Sequence, residues 1–274
     1  MKLSTEWADT IAEPIPEERI DYDVHFKYVS RIALLSKGLS AKISLKPTIS
    51  QTALSDLDPK LRLLERTKKS LAEEIRCINE DAEYAHACVA WLPAKVYYNL
   101  YHLLSLTEYM LAGNKTHLRI PHHACLGGLA QRITNCTVVF SCLLFNRACD
   151  KTILKFRTRS GEVLCHDITD ERLISLIMKK IATDKLQDFK ARKEIDCRNP
   201  KEKRVYESEE NKLKISIVDF FYSMRIRTNY KDMSFIDEVD ADRTRSYFIE
   251  YYEAADNFYN CFNELKNDLI AKIH

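Results

Sequence analysis

The chain has 274 residues, enough to bury a substantial apolar interior as one large domain or as a core carrying an elaboration. Five glycines, seven prolines and 30% charged residues favour helices over a turn-rich β fold. A formal net charge of +2 is too small to mark a nucleic-acid binder by bulk charge, so any such reading must rest on local clustering.

The first 15 residues, with Pro14 followed by Pro16, read as an extended lead-in. A helical pattern runs from about Glu17 to Lys37 and is stopped by Gly38, a residue suited to the left-handed conformation after a helix. Residues 39–54 alternate apolar and polar around Pro47 and predict a short strand or an irregular crossing segment. Asp58 is expected to be an N-cap, with Pro59 in the first turn, where its missing N–H costs nothing. Leu61, Leu64, Leu71, Ile75 and Ile78 then keep a helical stripe to about Asn79 or beyond. The next helix spans about Pro93 to Ala112, with Val96, Leu100, Leu103, Leu104 and Leu111 inward and Gly113 ending it. Another covers about Leu118 to Thr134, weakened at Gly127-Gly128.

Residues 152–168 break the helical period. Ile153-Leu154-Lys155-Phe156 and Val163-Leu164-Cys165 flank Arg159-Ser160-Gly161 and predict a β-hairpin. Helices are expected at 170–183 and 185–193, then a polar connector at Arg198-Asn199-Pro200. A helix from about Val205 to Arg227 carries Leu213, Ile217, Phe220, Phe221 and Met224 as its stripe. The last helix, about 241–272, repeats Phe248, Ala255, Phe262 and Leu269 every seven residues, interleaved with Tyr251, Phe258 and Leu265. Such a repeat suits packing at a shallow angle along other helices, as intramolecular core or along a partner chain. The fold class is therefore all-α. The division expected is an N-terminal helix and crossing segment at 1–56, then a helical domain at 57–274 with an insertion at about 150–204.

Nine cysteines, an odd number, form no CxxC pair, and several lie among apolar residues. With no secretory signal at the start of the sequence, free thiols in a reducing cytoplasm are expected. No apolar run approaches bilayer length; the longest, Cys136 to Phe145, is interrupted by polar residues and reads as a buried helix.

Candidate chemistry concentrates in two strings about 120 residues apart: Tyr97-Tyr98-Asn99-Leu100-Tyr101-His102 and Arg225-Ile226-Arg227-Thr228-Asn229-Tyr230. A guanidinium stays charged and can hold two phosphate oxygens at once, which fits Arg225, with Arg227 able to add a second contact. A proton shuttle works best with a pKa near the working pH, which imidazole has and phenol has not. His102 therefore suits proton transfer better than Tyr230, which can donate a hydrogen bond or act as a weak acid. Arg225 and Asn229, four apart, share a helix face. For His102 and the tyrosines at 97, 98 and 101, a place in the core is the competing reading.

Together the two strings resemble the two motif helices of the HEPN superfamily, small helical bundles many of which cut RNA. The first resembles its Tyr-Tyr-x-hydrophobic-aromatic-His helix. The second resembles its Arg-x-x-Ala-Asp-Tyr variant, in which Tyr stands where RNA-cutting members carry His. Here Thr228 and Asn229 replace the Ala and Asp, so Arg225 loses a neighbouring carboxylate that could pair with it. The resemblance spans about 57–134 and 205–272. It implies an antiparallel helical bundle, which this chain interrupts with a small β-hairpin and helical insertion, a homodimer with the Arg-bearing helices facing each other, and metal-independent chemistry. In that chemistry the RNA 2′-hydroxyl attacks the adjacent phosphate, Arg225 stabilises the charge on phosphorus, and Tyr230, Asn229 or His102 handles protons.

His117, His122, His123 and Cys165-His166 match no closed zinc pattern, and neither GxGxxG nor GxxxxGK[ST] occurs. No metal and no cofactor is expected. Residues 179–204 hold ten Lys or Arg against five acids, and Lys190, Arg192, Lys193 and Arg198 within them are candidates to track an RNA backbone, against the plainer reading of a solvated helix face. Two functions follow as expectations. One is an endoribonuclease of toxin or antiviral-defence type, with RNA as substrate and an antitoxin or regulatory protein as a possible partner. The other is a HEPN-like module that binds RNA, a nucleotide or a protein without cutting. Neither involves a membrane.

Overall fold

The structure is a computed structural model that describes residues 46–88, 91–113, 144–145, 171–213, 215–226, 228 and 240–273. These are overwhelmingly helical, as the composition predicts, and none of the described helices is long and apolar enough to cross a membrane. The helices expected at 17–37 and 118–134 and the hairpin at 152–168 lie outside the described residues. The chain divides into two units, 1–25 with 138–220 and 26–137 with 221–274.

The second unit carries α1 (Gln51–Ser55), α2 (Asp58–Glu80), α3 (Ala82–Cys88), α4 (Leu92–Ala112) and most of the described C-terminal part of the chain. The strand or crossing segment expected at 39–54 is corrected at its end: 51–55 is one short helix, capped by the Ser50 side chain accepting from the Ala53 N–H at 3.3 Å. Asp58 is not the cap of α2. Leu57, buried and already helical, holds that position, and its carbonyl accepts from the N–H groups of Lys60 and Leu61. Pro59 still lies in the first turn, where no N–H is needed. α3 has no counterpart among the sequence-based expectations. It begins where the Asp81 carboxylate accepts from the N–H groups of Glu83 and Tyr84, at 2.9 and 3.2 Å.

α4 ends as predicted: Gly113 takes φ 66°, a conformation only glycine adopts cheaply, and its N–H returns to Tyr109 O. Thr48 braces the same end, its N–H donating to Met110 O at 2.8 Å.

α8 (Ala241–Ile273) begins at Asp240, whose carboxylate accepts from the Arg243 N–H at 2.9 Å. It packs against α2, α3 and α4. The seven-residue repeat is core within the chain: Phe248, Ala255, Phe262 and Leu269 are buried, as are Tyr251, Phe258 and Leu265. The C-terminal part of α7 (Ile217–Ile226) joins this core through Phe221, whose ring lies 5.6 Å from Phe258 and 6.1 Å from Tyr251.

Polar groups set the register. Across α2 and α4, Lys95 holds the buried Glu74 at 2.6 Å and the Thr67 hydroxyl lies 3.3 Å from Asn99 Oδ1, so the two helices run antiparallel. Across α2 and α8, Lys68 pairs with Asp256 between the rings of Tyr252 and Tyr259, at 5.3 and 4.6 Å from their centroids. Burial pushes the Lys68 ammonium down to about 8, so the pair is still ionic at neutral pH.

The first unit contains β1 (Leu144–Phe145), α5 (Glu171–Arg192), α6 (Pro200–Lys212), β2 (Ile215–Ser216) and the start of α7. β1 and β2 form a two-residue antiparallel ladder, Leu144 opposite Ser216 and Phe145 opposite Ile215. Two expectations are corrected here. The helices predicted at 170–183 and 185–193 are one helix, because the buried Ile181 and Leu186 carry the apolar face through the supposed break. The helix predicted from 205 to 227 is two, because Leu213 turns extended and Ile215–Ser216 pair as a strand; the alternation Leu213-Lys214-Ile215-Ser216-Ile217 is a period-two signal. Lys185 and Asp219 pair between α5 and α7. The connector at 198–200 ends in an asparagine cap on α6: Asn199 accepts from the Lys201 N–H at 3.1 Å, and the Glu202 carboxylate accepts from Asn199 Nδ2 and the Asp196 N–H.

α5 closes on Glu194, a non-glycine residue at φ 52°, with the Ile195 N–H bonded to Lys190 O and Ile195 buried behind it. Glu194→Gly should therefore raise stability by about 0.5–1 kcal/mol in urea unfolding, since glycine adopts this conformation without the Cβ penalty. Lys68→Met should cost roughly 1–3 kcal/mol by leaving the Asp256 carboxylate without its cation. Adding Asp256→Leu should restore most of that loss in the same measurement.

Candidate functional site

α4 is apolar on almost every side. Along residues 92–111 polar groups are scattered among large apolar ones without a clear face, and the fold buries nearly all of them, including Tyr97, Leu100, Tyr101, Thr107 and Glu108. The residues that reach solvent are Trp91 at the N-cap and then Lys95, Tyr98 and His102, spaced four, three and four apart. That spacing is a single helical row.

Arg225 lies in the last turn of α7, half-buried, and its guanidinium meets this row from the other motif string. Its central carbon is 5.0 Å from the ring centroid of Tyr98, 5.6 Å from that of Tyr97 and 5.9 Å from that of Tyr222. Tyr97 and Tyr98 stand edge to face at 5.4 Å, and Tyr97 lies 5.6 Å from Tyr222, so the three rings form a continuous cradle. No carboxylate pairs with Arg225 among the described residues, and its buried Nε has no hydrogen-bond partner among them. Stacking on aromatic faces stabilises a guanidinium by about 0.5–2 kcal/mol per favourable contact while leaving its N–H edge available to an anion. Burial holds the Tyr97 phenol well above its ordinary pKa against the opposing charge of Arg225, so this ring stays neutral and serves as a wall.

Thr228 has a structural role of its own. It is buried, and its hydroxyl lies 3.1 Å from Met224 O and 3.3 Å from Arg225 O, satisfying carbonyls that the end of α7 leaves open. Alanine in that place could not do so. Arg227, Asn229 and Tyr230 lie outside the described residues.

His102 is exposed, one helical turn beyond Tyr98 on the same row, with its ring edge-on to Tyr101 at 5.8 Å. The competing reading of a core histidine does not hold for it. Tyr97 and Tyr101 are core, and Tyr98 is 40% exposed. Crowding by surrounding atoms lowers the His102 pKa below its ordinary 6.5, and the charge of Lys60 on α2 lowers it further. The imidazole is accordingly neutral at pH 7 and able to accept a proton.

The basic candidates belong to the other unit. Lys190 is half-exposed, and Arg192 and Lys193 are exposed, at the C-terminal end of α5, where positive charge also favours the helix dipole. Arg192 Nε donates to Asp188 O at 3.2 Å. Arg198 is 92% exposed and bonded to Asp196 at 3.0 Å. They form part of a solvated surface, and Lys190 and Lys193 have no ion-pair partner among the described residues.

Residues that the sequence reading passed over are Tyr222, Lys60 and Trp91. Tyr222 precedes Arg225 by three positions, a spacing that places both on one helix face and could have drawn attention. The position of Lys60 beside His102 depends on how α2 and α4 align and has no local signal.

No protein-family model, no curated protein and no solved structure matches this chain.

A proton NMR titration of the full chain should place the His102 pKa below 6.5. Lys60→Gln should raise it without restoring the ordinary value, because crowding is the larger cause. The folded chain releases this proton more readily than the unfolded one, so the stability His102 contributes is lost as pH falls through 6.5 toward the lowered folded value.

Proposed function

We propose that the protein is a HEPN-like, RNA-directed module that holds a phosphate on Arg225 and acts as a metal-independent endoribonuclease. The observation that carries this reading is the placing of Arg225 in a cradle of three tyrosines with no acid partner among the described residues. An arginine serving only the core would pair with a carboxylate or carbonyl, since an unmade hydrogen bond at a buried N–H costs about 1–3 kcal/mol. An anion presented to the guanidinium edge would supply that partner.

In this reading the motif residues divide the catalytic work. Arg225 neutralises charge that develops on phosphorus. His102, neutral and on the exposed row one turn from Tyr98, takes the proton from the RNA 2′-hydroxyl as that oxygen attacks the adjacent phosphate, and the 5′-oxygen leaves with a proton from Tyr230 or water. Arg227 and Asn229 belong to the same segment and are proposed to help hold the phosphate. Lys190, Arg192, Lys193 and Arg198 are proposed as backbone contacts for a longer RNA.

The second reading is a module that binds RNA, a nucleotide or a protein partner without cutting. It is favoured by the phenol at position 230, where cutting HEPN members carry imidazole. A homodimer and a cytoplasmic location accompany either reading, and restraint by an antitoxin or regulatory protein accompanies the first.

The test is incubation of the purified protein with a labelled RNA pool in excess EDTA. Cleavage should persist under chelation, disappear in Arg225→Ala, and fall by about 10²–10⁴-fold in His102→Ala. Arg225→Lys should not rescue it, because an ammonium lacks the planar fork and stacks poorly on the cradle. Intact RNA with retained binding in the wild type would establish the non-cutting module instead.

A further inference from the structure

Resting on the phosphate-binding reading of Arg225, we infer that the exposed row of α4 is a base-stacking platform on which Trp91 and Tyr98 take the bases of an unpaired RNA strand.

Trp91 is 64% exposed and Tyr98 is 40% exposed, two of the few large aromatic groups that the described residues show to solvent. Both belong to one row of a helix that is otherwise buried, with Lys95 and His102 completing it and no acid among its four members. Lys95 already holds Glu74, so the positive charge offered to a phosphate beside the row is that of Arg225 against Tyr98. An aromatic face accepts any base because every base has a π-face, and a neighbouring cation tracks the backbone.

The spacing selects the form of the strand. Trp91 and Tyr98 are seven residues apart, about 10 Å along the helix axis. Bases stacked in a duplex repeat at about 3.4 Å and present only their edges, so a paired strand cannot lay its bases on both rings. An unpaired strand with splayed bases can. Tyr98 has a double part: one side carries the Arg225 guanidinium, so a base on its remaining surface sets the adjoining phosphate beside that charge. A protein partner would meet an exposed tryptophan as readily, but it would not account for a cation stacked on Tyr98 without an acid.

The experiment is fluorescence anisotropy of a labelled twelve-nucleotide oligouridylate and an abasic oligomer of the same length, with the full chain at fixed salt. Trp91→Ala, Tyr98→Ala and Arg225→Ala are compared with wild type, and each is checked by circular dichroism and size-exclusion chromatography. Loss of one stacked base should weaken oligouridylate binding by about 5- to 150-fold in Trp91→Ala. Wild type should bind the abasic oligomer at least as weakly as Trp91→Ala binds oligouridylate, and Arg225→Ala should weaken both oligomers. Equal binding of oligouridylate by wild type and Trp91→Ala, with Arg225→Ala still impaired, would overturn the platform and leave the phosphate site standing. A changed oligomeric state in Trp91→Ala with unchanged RNA affinity would make the row an interface between copies and overturn the platform as well. No binding of either oligomer by wild type would remove both the platform and the reading it rests on.

Discussion

The near-complete burial of α4 is the constraint around which the second unit is organised. A helix with one solvent-facing row has to be covered on its remaining sides, and α2 and α8 supply much of that cover with the Leu64, Leu71, Ile78, Phe258 and Leu265 side chains. Covering it strands polar groups inside, so Asn99 meets Thr67, and the Thr107 hydroxyl returns to Leu103 O at 2.9 Å. The ion pairs Lys95–Glu74 and Lys68–Asp256 give the charged groups at the margins of this packing an opposite charge. What is left of α4 to meet another molecule is Lys95, Tyr98 and His102, with Trp91 at its start.

Arg225 owes its chemistry to that same burial. A guanidinium brought to the edge of a packed core can be compensated by a carboxylate or by aromatic faces, and the two outcomes differ in what remains possible. A carboxylate would occupy the N–H fork and cancel the charge. The rings of Tyr97, Tyr98 and Tyr222 stabilise the cation through their π-faces and leave the fork to an incoming anion. The charge of Arg225 in turn opposes the effect of burial on Tyr97, so the two motif strings influence each other electrostatically as well as by contact.

Local signals were readable wherever the chain declares its own boundary. Gly113 ends α4 because the left-handed turn needs no neighbour to specify it, and the seven-residue spacing of α8 names its buried face without reference to what covers it. Misreadings fell where a local preference met a nonlocal one. Asp58 is a good cap in isolation, but Leu57 is drawn into the core and takes the position. Residues 213–217 have helical neighbours on both sides, yet Ile215–Ser216 found a strand partner some 70 residues earlier in the chain.

The sequence by itself determined the all-helical character, the limits of α4, the buried face of α8, and the two strings in which the candidate groups reside. Those follow from propensity, periodicity and end signals acting over a few residues. Tertiary structure alone decided that Tyr98 and His102 face outward while Tyr97 and Tyr101 do not, because a helix apolar on nearly every side has no readable face until its neighbours pack. It alone decided that Arg225 would be met by tyrosines and by no acid among the described residues. That outcome depends on groups more than 120 residues apart coming together, and no local pattern encodes it.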